Sequence, residues 1–188
     1  MRCLSFISVL VCTGAVLLAG IASPAAAQPV PAPLQGYPFA VCNHAPGTPY
    51  NWTVVRVTSD ASFTTIDSVI TLKACTRGAC CNAQLAKLEW NVGLTCQGSV
   101  ESVTVNGTSA VWAFSPLAKR SPPRMAFKIM KLLLNTTNAA GVPVQIRLRR
   151  SRSCGTASSF FVGNSVAFFD DVPNPRDMCC PAAGFSLP

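Results

Sequence analysis

The sequence predicts an all-β protein: a single-domain antiparallel β-sandwich, stapled by disulfides. Three observations carry that prediction. Short runs rich in Val, Ile, Thr and aromatic residues recur with turn residues between them, the pattern of a sandwich or barrel. The N-terminus reads as an export signal, with Met1-Arg2, an apolar run over residues 4–21, and Ala25-Ala26-Ala27 as a cleavage site before Gln28. Of the ten cysteines, Cys3 and Cys12 leave with that signal and eight remain, an even count in an oxidising compartment. Residues 1–27 are thus expected to be removed, leaving a secreted chain with no membrane segment.

Taken in order, residues 28–36 form a short proline-rich arm, since Pro29, Pro31, Pro33 and Pro38 favour extended polyproline II. The folded domain spans residues 37–188. Strands are expected at YNWTVVRV (50–57), SFTTIDSVITL (62–72), KLEWNV (87–92), SVESVTV (99–105) and SAVWAF (109–114). Asn106-Gly107 between the last two is a strong hairpin signal. VPVQIRLRR (142–150) alternates Val144, Ile146 and Leu148 with Gln145, Arg147 and Arg149, a period of two with a basic outer face. SVAFFD (165–170) reads as a final strand. RMAFKIMKLLLN (124–135) is ambiguous: its composition and the spacing of Arg124, Lys128 and Lys131 suit a helix, but its neighbours are strands, and strand is the expectation.

The cysteines are 42, 75, 80, 81, 96, 154, 179 and 180. Neighbours rarely bridge each other, because a disulfide needs its Cβ atoms about 3.8 Å apart with a specific dihedral. Cys80 and Cys81 should therefore bond different partners, as should Cys179 and Cys180, each bridge closing a long loop. The count alone leaves 105 connectivities open. A structural zinc is disfavoured, since C-x-x-C pairs are missing and the chain has one histidine; no metal or other cofactor is expected.

Net charge is +8, and loss of Arg2 with the signal makes it +7. Bases Arg56, Lys73, Arg77 and Lys87 balance Asp60, Asp67, Glu89 and Glu101 in residues 28–101. Residues 102–169 hold Lys119, Arg120, Arg124, Lys128, Lys131, Arg147, Arg149, Arg150 and Arg152 without an acid. This half is expected to be a one-signed basic surface.

YPFAVCNHAPGTPY (37–50), ACC (79–81) followed by KLEWNV, CQGSVESVTVNG (96–107) and FFDDVPNPRDMCCP (168–181) resemble the pherophorin domain over residues 37–181. Pherophorins are secreted extracellular-matrix glycoproteins of volvocine green algae. The resemblance implies a matrix or cell-wall protein without enzymatic activity; relatives often join two such domains by a hydroxyproline-rich rod. The family often has C-x-C where this chain has Ala40 and Cys42, and a cysteine where it has Asp67 or Ser68. Their joint absence implies that one bridge is missing as a unit. Hydroxylation and O-glycosylation of Pro29, Pro31, Pro33, Ser115-Pro116 and Ser121-Pro122-Pro123 are likewise what the resemblance implies.

Three sequons, at Asn51, Asn106 and Asn135, are candidate N-glycosylation sites; Asn135 follows an apolar run in a polar turn. Arginine suits carboxylate, sulfate and phosphate through paired hydrogen bonds, so Lys128, Lys131, Arg147, Arg149, Arg150 and Arg152 are expected to contact polyanions. Outside an algal cell these would be acidic or sulfated polysaccharides, with other matrix glycoproteins as further partners. No motif accompanies the charge to suggest nucleic acid. Catalysis is not expected: disulfides consume the thiols, His44 stands in a Pro/Gly-rich loop, and G-x-S-x-G and H-E-x-x-H are missing. Asp170, Asp171 and Asp177 read as turn formers. The expected function is a secreted structural glycoprotein of matrix or wall, with a lectin-like glycan-binding module as the alternative.

Overall fold

The computed structural model describes residues 36–38, 42–44, 47–76, 78–117, 124–171 and 178–188. The signal peptide, most of the proline arm, Ala40, Arg77, Lys119, Arg120, Pro122, Pro123, Arg176 and Asp177 lie outside them. The described chain folds into ten strands: β1 Tyr50–Ser59, β2 Phe63–Leu72, β3 Gln84–Val92, β4 Val100–Val105, β5 Thr108–Ser109, β6 Val111–Leu117, β7 Arg124–Leu134, β8 Val142–Arg149, β9 Phe161–Asp171 and β10 Ala182–Gly184. Among the described residues, helix is confined to α1, Ala157–Phe160, and single 3-10 turns at Ala79–Cys81 and Leu94–Cys96.

The strands form two five-stranded sheets, β1-β2-β8-β4-β5 and β10-β9-β3-β7-β6, antiparallel throughout. Alternation along β2 and β8 turns Ile66, Ile70, Val144, Ile146 and Leu148 inward. The second sheet answers with Leu88, Trp90, Phe127, Ile129, Val166 and Phe168 in the same core. Trp52 on β1 meets Trp90 on β3 edge to face, ring centroids 5.2 Å apart, which joins the two sheets directly. Phe161 and Phe185 pack on Trp52 at 5.7 and 4.6 Å. Fully burying each such ring contributes about 2–3 kcal/mol. The sandwich the sequence predicts is the fold of the chain.

Two details differ from the strand-by-strand expectation, and a third, the 124–135 segment, meets it. The Asn106-Gly107 turn does form, with φ of 51° and 74°, the left-handed pair whose twist suits a two-residue hairpin. Only Thr104↔Ser109 and Val105↔Thr108 pair across it. Past Ala110 the chain crosses to the other sheet, and Val111–Leu117 pairs with β7 instead. Residues 165–170 are the second half of a longer β9 and not the last strand, because β10 follows and pairs Ala183 with Val166. The ambiguous 124–135 segment is a strand, hydrogen-bonded to β3 on one side and β6 on the other. Its helical spacing is undone near the end. Met130 and Leu134 face Lys87 and Leu85, and left-handed Lys131 and Leu133, φ 60° and 52°, take up the extra length.

Outside the second sheet lies a smaller core of Tyr37, Ala167, Phe169 and Cys180. The Tyr37 hydroxyl donates to the Glu89 carbonyl, and Asn43 pairs with Cys179 as a short parallel bridge. The segment entering the domain thus lies as a strap over the sheet's outer face. This explains why β9 is buried on both faces from Ser165 to Asp170.

The disulfides are Cys42–Cys180, Cys75–Cys81, Cys80–Cys179 and Cys96–Cys154. Each doublet bonds two different partners, and Cys80–Cys179 links one doublet to the other. They span 138, 6, 99 and 58 residues, so Cys75–Cys81 is an exception to the expectation of long loops. With Cys42–Cys180 made, Cys80–Cys179 closes only the 39-residue difference between their spans. By loop entropy that bridge is still worth about 4 kcal/mol, against about 2 for the six-residue one.

Candidate functional site: a polar groove at one end of the first sheet

The β1–β2 hairpin, the start of β4 and the turn after β8 meet around an open groove of about 660 Å³. Ala61, Ser62, Phe63, Glu101, Arg149, Arg150 and Ser151 line it. Register explains the meeting. Phe63 pairs with Arg149 across β2 and β8, and Glu101 is the bulged residue where β4 slips against β8 between Val100 and Ser102. Asp60 closes the hairpin by accepting from the Ser62 and Phe63 N–H groups at 2.7 and 2.8 Å. Those two bonds, chiefly, hold its carboxyl below the usual range.

The basic candidates do not form one field. Arg149 pairs with Glu101, and Arg150 donates to the Asp60 carbonyl at 2.6 Å. The Arg147 guanidinium lies 3.8 Å over the Phe63 ring, beside the groove. Arg152 is exposed on the turn that follows. Lys128 and Lys131 belong to β7 in the other sheet. Lys128 approaches Glu89 at 3.7 Å, and Lys87 bonds the same carboxylate at 3.0 Å, beneath the strap where Glu89 is 3% exposed. Lys87 also stacks over Phe169 at 3.4 Å, and its burial lowers its pKa. Lys131 is exposed. The acid-free stretch of sequence therefore does not fold into a one-signed face. Strand pairing carries Glu89 and Glu101 opposite it, and the β1–β2 turn brings Asp60.

Sequence reasoning missed Phe63, Asp60 and Glu101 as parts of this site. Phe63 opens an alternating run and carries no functional signal by itself. Glu101 is 48 residues from its partner Arg149, a distance only the β4–β8 register bridges.

The sequons occupy three settings. Asn51 is half-buried on edge strand β1, Asn106 is exposed in the hairpin turn, and Asn135 begins the turn after β7. The Asn135 Oδ1 accepts from the Thr137 hydroxyl at 2.6 Å and from the Thr137 and Asn138 N–H groups at 2.9 and 3.2 Å. Among the described residues, the three side chains close enough to share an ion are Cys42, His44 and Cys180, and two of these are joined in a disulfide. Asp170 faces inward from β9 and is 1% exposed, out of reach of any substrate on the surface.

Two antiparallel sheets and four bridges, with a polar groove at one end of the first sheet, define a disulfide-stapled β-sandwich module. The pherophorin family profile matches residues 37–181, and the chain belongs to the pherophorin family. It is similar to perphorin-2 of Volvox carteri, 31% identical over 175 residues that cover 84% of this chain and 35% of that protein. The chain thus spans about a third of that relative's length. Pherophorin-family proteins are structural rather than catalytic, and are secreted components of the extracellular matrix.

Proposed function

We propose that this chain is a secreted structural glycoprotein of an extracellular matrix or cell wall, and that its groove contacts acidic polysaccharides. Family membership supports the matrix role. The observation that carries the contact is the convergence of Arg147, Arg149 and Arg150 with Phe63, Ser62 and Ser151 at one open end of the sheet. Guanidinium groups and hydroxyls are the donors a carboxylated or sulfated sugar needs. Lys128 is engaged with Glu89 on the opposite sheet and contributes little to this contact. Glycans on Asn51, Asn106 and Asn135, and modified prolines in the arm, would add to the anchoring, with other matrix glycoproteins as neighbours.

Retention on an immobilised sulfated polysaccharide tests the reading. The Debye length falls from about 10 Å at 0.1 M salt to about 3 Å at 1 M, so a moderate salt gradient should elute the parent. Replacing Arg147, Arg149 and Arg150 by Ser should lower the eluting salt concentration, whereas Lys73→Ser, at the far end of β2, should not. Equal elution of both variants and the parent would refute the polysaccharide contact. Elution by a free neutral sugar would favour the lectin-like alternative.

A further inference from the structure

Of the three arginines at this end of the sheet, two already have partners. Arg149 holds Glu101, and Arg150 holds the Asp60 carbonyl. Arg147 differs. Among the described residues it makes no hydrogen bond or ion pair within 4 Å, and its contact is the Phe63 ring. A guanidinium 3.8 Å over an aromatic ring is attracted to the ring's face, and that contact restrains the side chain while leaving its N–H donors without an acceptor among the described residues. The cross-strand neighbours of Arg147 are Thr65 on β2 and Ser102 on β4, so hydroxyl residues flank it on both sides. Of the nearby acids, Glu101 is held by Arg149, and Asp60 accepts two backbone N–H groups on one oxygen while its charge acts across space on both Arg147 and Arg150. Three guanidiniums against two carboxylates leave room for one further negative charge.

We propose that Arg147 is the anion-reading residue of this face, taking one carboxylate or sulfate of an acidic polysaccharide through paired hydrogen bonds, with Phe63 as its positioning residue. The inference deepens the polysaccharide reading above and rests on it. It makes recognition depend on the planar fork and not on charge count alone.

Charge-preserving variants separate the two. Binding constants of the full secreted chain would be measured for polygalacturonate, which carries carboxylates only, for dextran sulfate, which carries sulfates only, and for neutral dextran. Arg147→Lys and Phe63→Leu keep every charge, yet each should weaken binding to one or both charged polymers roughly tenfold, because a Lys cannot offer a paired fork. Arg56→Lys, at an arginine bound to Asp67, should change binding less than about twofold, as expected of an exposed pair. The polymer showing the loss identifies the anion. If the parent binds and Arg147→Lys binds equally well to both charged polymers, this inference is overturned while the broader contact survives as diffuse charge. If the parent binds neither charged polymer, or binds dextran equally well, the polysaccharide reading fails and this inference with it. Urea midpoints of both variants would show whether Phe63→Leu acts through folding, and Arg147→Lys, at a partly exposed position, decides the matter in that case.

Discussion

Asp170 sits on the inner face of β9 at 1% exposure, and neither carboxylate oxygen has a hydrogen-bond partner among the described residues. Burial pushes its pKa up to about 8. Nearby Tyr50 is pushed up to about 12, by burial first and the Asp170 charge second. The native state therefore holds a proton that the unfolded chain releases near pH 4. Stability from this group is full below about pH 4 and is lost as pH rises toward 8, with a slope of up to about 1.4 kcal/mol per pH unit. Asp60 and Asp67, whose carboxyls are lowered by hydrogen bonds from Ser62 and from Gln145, act in the opposite sense below pH 4. Asp170→Asn should flatten the decline between pH 4 and 8 and raise stability at pH 8. Urea midpoints across that range measure it, and parallel curves for parent and variant would contradict the account.

At the scale of elements, the turn after β8 shapes the groove, and one glycine decides its path. A Cβ on Gly155 would stand 2.7 Å from the Arg150 Cα, 2.9 Å from its carbonyl oxygen and 3.0 Å from that of Arg149. All three are backbone atoms, which cannot swing aside. Gly155→Ala should push the end of β8 outward, at a cost of about 1–3 kcal/mol. It should also reduce retention on the sulfated column, although no charge changes. An unchanged thermal midpoint together with unchanged elution would show that the turn is not held this tightly. The elements themselves were legible where one face is buried and one is wet. In residues 142–150 the alternation of Ile146 and Leu148 with Gln145 and Arg147 survives directly as burial. Legibility ended where local signals compete with distant pairing. Asn106-Gly107 makes its turn, but nothing at Ala110 announces the crossing to the other sheet. Lys128 and Lys131 share a helical spacing that two strand partners override.

Over the whole molecule, the doubled cysteines and the apolar rhythm together made the sandwich legible, because both report on burial and compartment. The site was half legible. The arginines stand out in sequence, but Glu101, Asp60 and Phe63 become their neighbours only through register. The bridges now tie the molecule at three levels. Cys42–Cys180 holds the strap on the second sheet, Cys80–Cys179 ties the 3-10 turn before β3 to the chain end, and Cys96–Cys154 anchors the turn after β3 beside α1. A four-bridge sandwich is the claim on which the groove and the proposed matrix role both depend. Peptide mass spectrometry of the non-reduced secreted protein tests it most directly. The account predicts cross-linked peptides joining Cys42 to Cys180, Cys75 to Cys81, Cys80 to Cys179 and Cys96 to Cys154, with no alkylatable thiol. Two or more free cysteines, or a bridge joining Cys80 to Cys81, would contradict it.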